Sequence, residues 1–149
     1  MKIVLCPFDE KFLTHSWRWL NDPDIKRLTF TLDFSKQSQL NWYKNLKGRK
    51  DYLIWGIMVD DVPAGACGLK NLTAVDGEYW GYIGEKSYWG KGVGFQMMSL
   101  IEKKAKELDL KSLWLQVLDD NARAIKLYKS LNYGVVSREN NLIIMRKSL

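Results

Sequence analysis

The chain has 149 residues, 46% of them hydrophobic, and 23 Lys and Arg against 17 Asp and Glu leave a net charge of +6. That apolar share builds a core without disulfide or metal staples, and the length suits one compact domain spanning 1–149. A single histidine, His15, cannot build a His-rich metal site, and two cysteines without CxxC spacing read as reduced core thiols, so no metal is expected.

Met1–Leu5 is too short before Pro7 and Asp9 to form the apolar region of a signal peptide. Lys2–Leu5 reads as a first strand, and Asp9–Leu20 carries apolar residues at helical spacing behind an acidic start. Asn21-Asp22-Pro23-Asp24 signals a helix entry leading into Ile25–Thr29. Ser35 can cap a helix bearing Leu40, Tyr43 and Leu46 before Gly48 stops it. Tyr52–Val59, a turn at Asp60-Asp61, Ala64–Leu72 and Glu78–Ile83 then read as an antiparallel meander.

After a loop over Gly84–Lys91, a helix is predicted over Gly92–Glu107, with Val93, Met97, Leu100, Ile101, Ala105 and Leu108 on one face. Ser112–Val117 is a short strand, and Asn121–Leu131 a helix carrying Ala124, Leu127, Tyr128 and Leu131 at i, i+3, i+4, i+7. Val135–Ser137 and Leu142–Met145 close as a hairpin through Glu139-Asn140-Asn141. The order implies an α+β domain with a mixed sheet, because a helix joins the strands flanking Gly92–Glu107.

No apolar run reaches membrane-spanning length, so no membrane partner is expected, and Cys6 and Cys67 suit a reducing cytoplasm. The positive charge favours anionic partners, yet its residues are scattered among acids, which argues against nucleic acid.

Chemistry concentrates in two motifs. Tyr88-Trp89-Gly90-Lys91-Gly92-Val93-Gly94 sits where strand and loop feed a helix. Glycines there let a backbone approach a ligand closely, and the helix start adds free N–H groups for a diphosphate. Neither GxxxxGK[ST] nor GxGxxG is satisfied, and a plain tight turn also accounts for the pattern. In the second motif, Asn121 and Tyr128 stand seven apart on one helix face, about 10 Å along the axis. They can hold an extended ligand and donate a proton, or simply cap a helix and fill a core.

Taken together, these motifs and their order resemble the GNAT superfamily of N-acetyltransferases. The resemblance implies a mixed, mostly antiparallel sheet of about seven strands flanked by helices, with acetyl-coenzyme A as co-substrate. It implies that Ile83, Lys91, Gly92, Val93, Gly94 and Asn121 bind the cofactor and that Tyr128 protonates the departing thiolate. One departure is Trp89, where the family often has Arg or Gln. Trp19–Lys26, Ser38–Trp42, Gly68-Leu69 and Glu78–Gly81 look like the amino-sugar N-acetyltransferases of the pseudaminic-acid pathway, which use nucleotide-linked amino sugars. That likeness implies a small-molecule amine acceptor; a monomer or homodimer is expected. Ribosomal-protein N-terminal acetyltransferases share Asn-Asp-Pro and Tyr-Trp-Gly-Lys-Gly, and a non-catalytic module binding coenzyme A or nucleic acid is the rival class.

An amine attacks only when uncharged, so a base is required. Glu78 is a candidate and shares a strand face with Trp80 and Tyr82, although a strand-end glutamate also reads as a solvated group. Trp17, Trp19, Trp42 and Trp80 can line a sugar or nucleobase site or pack in a core, and His15 reads as a surface or packed helix residue.

Overall fold

In the structure, a computed structural model describing residues 1–149, the β-branched and aromatic runs become seven strands. They are β1 (Ile3–Pro7), β2 (Leu53–Val59), β3 (Val62–Lys70), β4 (Asp76–Ile83), β5 (Ser112–Leu118), β6 (Gly134–Glu139) and β7 (Leu142–Ser148). The sheet order is β1-β2-β3-β4-β5-β7-β6, and only the β4–β5 pair is parallel. A hairpin cannot return a strand in the same direction, so the long crossover between them enforces that step. The Asp60-Asp61 turn takes both residues to positive φ, 47° and 65°, and lets Val59 pair directly with Val62.

Four of the five helices start where the sequence offers a side-chain cap. Asp9 accepts from the Phe12 amide ahead of α1 (Glu10–Asn21). Asp22 accepts from Asp24 and Ile25 at the start of α2 (Pro23–Leu28), whose first residue is the expected proline. Ser35 and Ser38 form a reciprocal capping box for α3 (Lys36–Asn45), and Asn121 caps α5 (Ala122–Ser130) through the Ala124 amide. Such caps contribute about 1 kcal/mol each. By contrast, α4 (Val93–Glu107) begins at Gly92 with no side-chain cap.

Strand alternation sorts side chains onto two faces. On one, Ile57, Leu69, Tyr79, Leu113, Leu115, Val117 and Met145 pack with Val93, Met97, Met98, Ile101 and Ala105 of α4 in the main core, and Leu127 and Tyr128 of α5 lean against it. On the other, Phe12, Trp19 and Ile25 form a smaller cluster with Cys6, Met58 and Tyr82. The Phe12 ring lies where a side chain on Gly56 would stand, which is how α1 reaches the sheet. The core face of α4 differs from the periodicity at two predicted positions. Leu100 is only half-buried and lies outside the core. Leu108 is 45% exposed because the helix ends at Glu107, and Met98 and Leu110 are buried instead. The Gly84–Lys91 loop contains one 3₁₀ turn, Lys86–Tyr88. No helix is long and apolar enough to cross a membrane.

This packing has a consequence at alkaline pH. Burial pushes up the phenols of Tyr52, Tyr79, Tyr82, Tyr128 (to about 12) and Tyr133, and the thiol of Cys67. A group held protonated by the fold contributes stability that is complete below its unfolded pKa and is lost as pH rises toward the folded value. Urea midpoints should therefore hold from neutral pH to about 8, then fall, steeply above about 10 where unfolded tyrosines ionise. Each such tyrosine withdraws up to about 1.4 kcal/mol per pH unit. Midpoints unchanged to about pH 11 would contradict it.

Candidate active site

The parallel ladder between β4 and β5 pairs Asp76 with Ser112, Gly77 with Leu113 and Glu78 with Trp114, then stops. Both strands continue, β4 to Ile83 and β5 to Leu118, each held by its outer neighbour. The gap between them belongs to a cavity of about 1020 Å³ that reaches residues on both sheet faces.

Glu78 is the polar group on the face of the smaller cluster. It is 2% exposed, so the solvated reading of this residue is overturned; a carboxylate here needs partners, and it has them. Asn71 Nδ2 donates to Oε1 at 2.8 Å, Gln116 Nε2 donates to Oε2 at 3.0 Å, and Lys70 Nζ stands 3.8 Å from Oε2. Trp80 and Tyr82 line the same cavity, as alternation required. Gln116, Lys70 and Asn71 were missed by sequence reasoning. Lys70 pairs directly with Glu78 across β3 and β4, a register legible only once the meander is aligned.

Tyr128 lies on the opposite face and lines the cavity from α5. Its ring packs edge-on to Tyr79, with centroids 6.4 Å apart, and lies 6.1 Å from that of Tyr133. Burial raises its pKa to about 12, so the phenol carries its proton at neutral pH. Asn121 lines the cavity as well, but its side-chain oxygen already accepts from Ala124, leaving the amide nitrogen for a ligand.

The glycine loop forms one wall. Gly90 and Gly92 have φ of 75° and 82°, which favours glycine, and nothing lies within 4 Å of where a Cβ would stand on either. The first amides of α4 have no side-chain acceptor, so bare backbone and a helix start together fit a diphosphate. Ile83, Gly92, Val93 and Gly94 line the cavity, whereas Lys91 does not. Trp89 turns inward, its Nε1 donating to the Ile83 carbonyl at 2.8 Å.

Farther along, Phe8, Trp42, Tyr52 and Trp80 make an aromatic wall. Tyr52 stacks on Trp80 at 5.8 Å, and Trp42 meets Tyr52 edge-on at 6.3 Å. Of the other tryptophans, Trp19 is 1% exposed and belongs to the core, and Trp17 does not line the cavity itself but packs edge-on against Phe34, which does. His15 stacks on Trp19, 5.3 Å between centroids. Residues 27–34, from the end of α2 into the connection to α3, edge the cavity and carry no local motif that marks them. From this stretch Arg27 makes a two-pronged ion pair with Asp120, at 3.1 and 3.3 Å, joining α2 to the turn before α5.

The sequence profile of the acetyltransferase (GNAT) family matches residues 14–133. An uncharacterized protein of Methanocaldococcus jannaschii is 25% identical over 147 residues, 95% of this chain, and this chain spans only 30% of its length. Acetyltransferase PseH of Campylobacter jejuni is 26% identical over 126 residues, covering 84% of this chain and 78% of that protein. The crystal structure of Campylobacter jejuni N-acetyltransferase PseH with acetyl-coenzyme A superposes with a TM-score of 0.77 at 18% identity, over 99% of each chain. The glycine loop opening α4, the parted strands and the profile match over most of the sequence converge: this chain belongs to the GNAT family of acetyltransferases, enzymes that take acetyl-coenzyme A as co-substrate.

Proposed function

We propose that the protein acetylates the primary amine of an amino sugar carried on a nucleotide. The observation that carries this reading is one cavity joining Glu78 on one sheet face to Tyr128 on the other through the β4–β5 gap. Acetyl-coenzyme A supplies the thioester whose C–S bond breaks as the C–N bond forms. The Gly90–Gly94 backbone and the first amides of α4 receive its diphosphate, and the Asn121 amide holds its arm. Beyond the ladder, the β5-facing edge of β4 offers backbone N–H groups to polarise the thioester carbonyl.

Glu78 takes the proton of the attacking amine directly or through one water. Lys70, Asn71 and Gln116 fix both carboxylate oxygens, so the base meets its substrate with little reorganisation. Tyr128 donates its proton to the departing thiolate. So weak an acid gives up a proton only to sulfur that is itself desolvated, which burial beside Tyr79 and Tyr133 provides.

The acceptor rests on the aromatic wall of Phe8, Trp42, Tyr52 and Trp80, the net charge of +6, the similarity to acetyltransferase PseH, and the resemblance of the N-terminal segments to the pseudaminic-acid-pathway enzymes. A nucleobase stacked on such a ring gains about 1–3 kcal/mol. A nucleotide-linked 4-amino sugar should be acetylated faster than the free sugar, because remote binding energy positions the amine. It should also outrun a peptide with a free N-terminus; faster acetylation of the peptide overturns this acceptor.

Two substitutions test the machinery. Gly92→Val places a β-branched residue at φ 82°. Acetyl-coenzyme A at 100 times its Kd should stabilise the parent by about 2.7 kcal/mol, and the variant should lose that thermal shift. Tyr128→Phe keeps the ring but removes the donor, so kcat should fall about 10²-fold or more while cofactor Kd stays near the parent value. Unchanged turnover would leave Tyr128 a packing residue.

A further inference from the structure

A cation beside the amides strengthens the hold on a diphosphate, and the cavity lining offers few. Three line it: Arg27, Lys70 and Arg123. Arg27 is committed to Asp120, and Lys70 stands beside Glu78. Lys86, on the loop just before the glycines, is held by Asp22 and Asp24 at 2.9 and 2.8 Å. Arg123 makes no ion pair or hydrogen bond with any side chain, so it is the lining cation whose charge is left uncompensated.

Its position is set by Trp89. The guanidinium lies over the Trp89 ring, 5.0 Å from the centroid, and that ring is fixed in turn by its hydrogen bond to the Ile83 carbonyl. Trp89 immediately precedes Gly90. Four residues on from Arg123, Leu127 lies against Gly94, with Cδ2 3.1 Å from where a Cβ would stand. Residues at i and i+4 share a helix face, so the face of α5 that bears Arg123 looks onto the glycine loop. A guanidinium held over an indole face by a cation–π contact keeps its N–H fork available for paired oxygens, the geometry that recognises phosphate.

From this we infer that Arg123, shelved on Trp89, is the phosphate-binding side chain of the cofactor site and receives the diphosphate of coenzyme A. The inference rests on the cofactor reading of the Gly90–Gly94 loop. Trp89 supplies no charge of its own; it is a positioning residue that brings a cation from α5 to a loop whose own Lys91 does not line the cavity.

Calorimetric titration of the full chain with coenzyme A, dephospho-coenzyme A (no 3′-phosphate) and pantetheine (no phosphate) tests it. Arg123 is exposed, so Arg123→Ala should fold with an unliganded Tm near the parent's. It should weaken coenzyme A and dephospho-coenzyme A by the same factor, about tenfold to a hundredfold, as expected for a charge-assisted hydrogen bond. Pantetheine binding should not change. Arg123→Lys should recover only part of the loss, since an ammonium keeps the charge but not the fork. Parent-like affinity for coenzyme A in Arg123→Ala overturns the inference alone. So does a loss seen with coenzyme A and absent with dephospho-coenzyme A, which would move the residue to the 3′-phosphate. Parent-like affinity in Gly92→Val instead removes the loop reading, and the inference falls with it.

Discussion

The ladder between β4 and β5 holds for three residue pairs and then ends, while β3 and β7 keep their neighbours aligned to the tips of both strands. A continuous sheet separates its two faces completely. Where two central strands part, polar backbone is exposed inside the molecule, and unpaired amides away from water cost free energy unless something pairs with them. The gap therefore favours an extended ligand with its own amides and carbonyls, and it puts that ligand within reach of groups on both faces. Glu78 and Gln116 stand on one side and Tyr128 on the other for this reason. The divergence also requires the parallel crossover through α4, since the helix that forces β5 to run with β4 brings its own N-terminus to the mouth of the gap.

Much of this was readable beforehand because it is local. The caps at Asp9, Asp22, Ser35 and Asn121, the turn at Asp60-Asp61 and the period of α4 depend on neighbours within a few residues, and the chain supplies them. Face-sharing by Glu78, Trp80 and Tyr82 follows from strand geometry alone. The rest is non-local. Asn71, Lys70 and Gln116 around Glu78, and Asp120 against Arg27, meet across separations that no window on the sequence reports. Trp19 shows the limit from the other side. Its composition suits a ligand wall equally well, and only packing under Phe12 and Ile25 decides for the core.

Charge is distributed with similar economy. Most charges near the cavity are met locally, Asp24 by Lys86, Asp33 by Lys26, Glu78 by its two amides and Lys70. The net charge of +6 is consequently a poor guide to the site. What matters is which polar atoms remain without partners where the cavity passes, among them the first amides of α4, the Asn121 nitrogen, Trp80 Nε1 and the Arg123 guanidinium.

The Arg27–Asp120 bridge bears on how two ligands sense each other. It ties α2 to the turn before α5, and both partners are more than half exposed, at 55% and 60%. An ion pair so wetted is worth at most about 1 kcal/mol, equivalent to about a fivefold change in an equilibrium constant. Thermodynamic reciprocity then sets a ceiling: a first ligand that breaks this bridge alters the affinity of the second through it by no more than about fivefold, in either order of arrival. Through this contact the two halves of the cavity are nearly independent compartments, and strict ordering of their occupancy would have to originate in the gap between β4 and β5 itself.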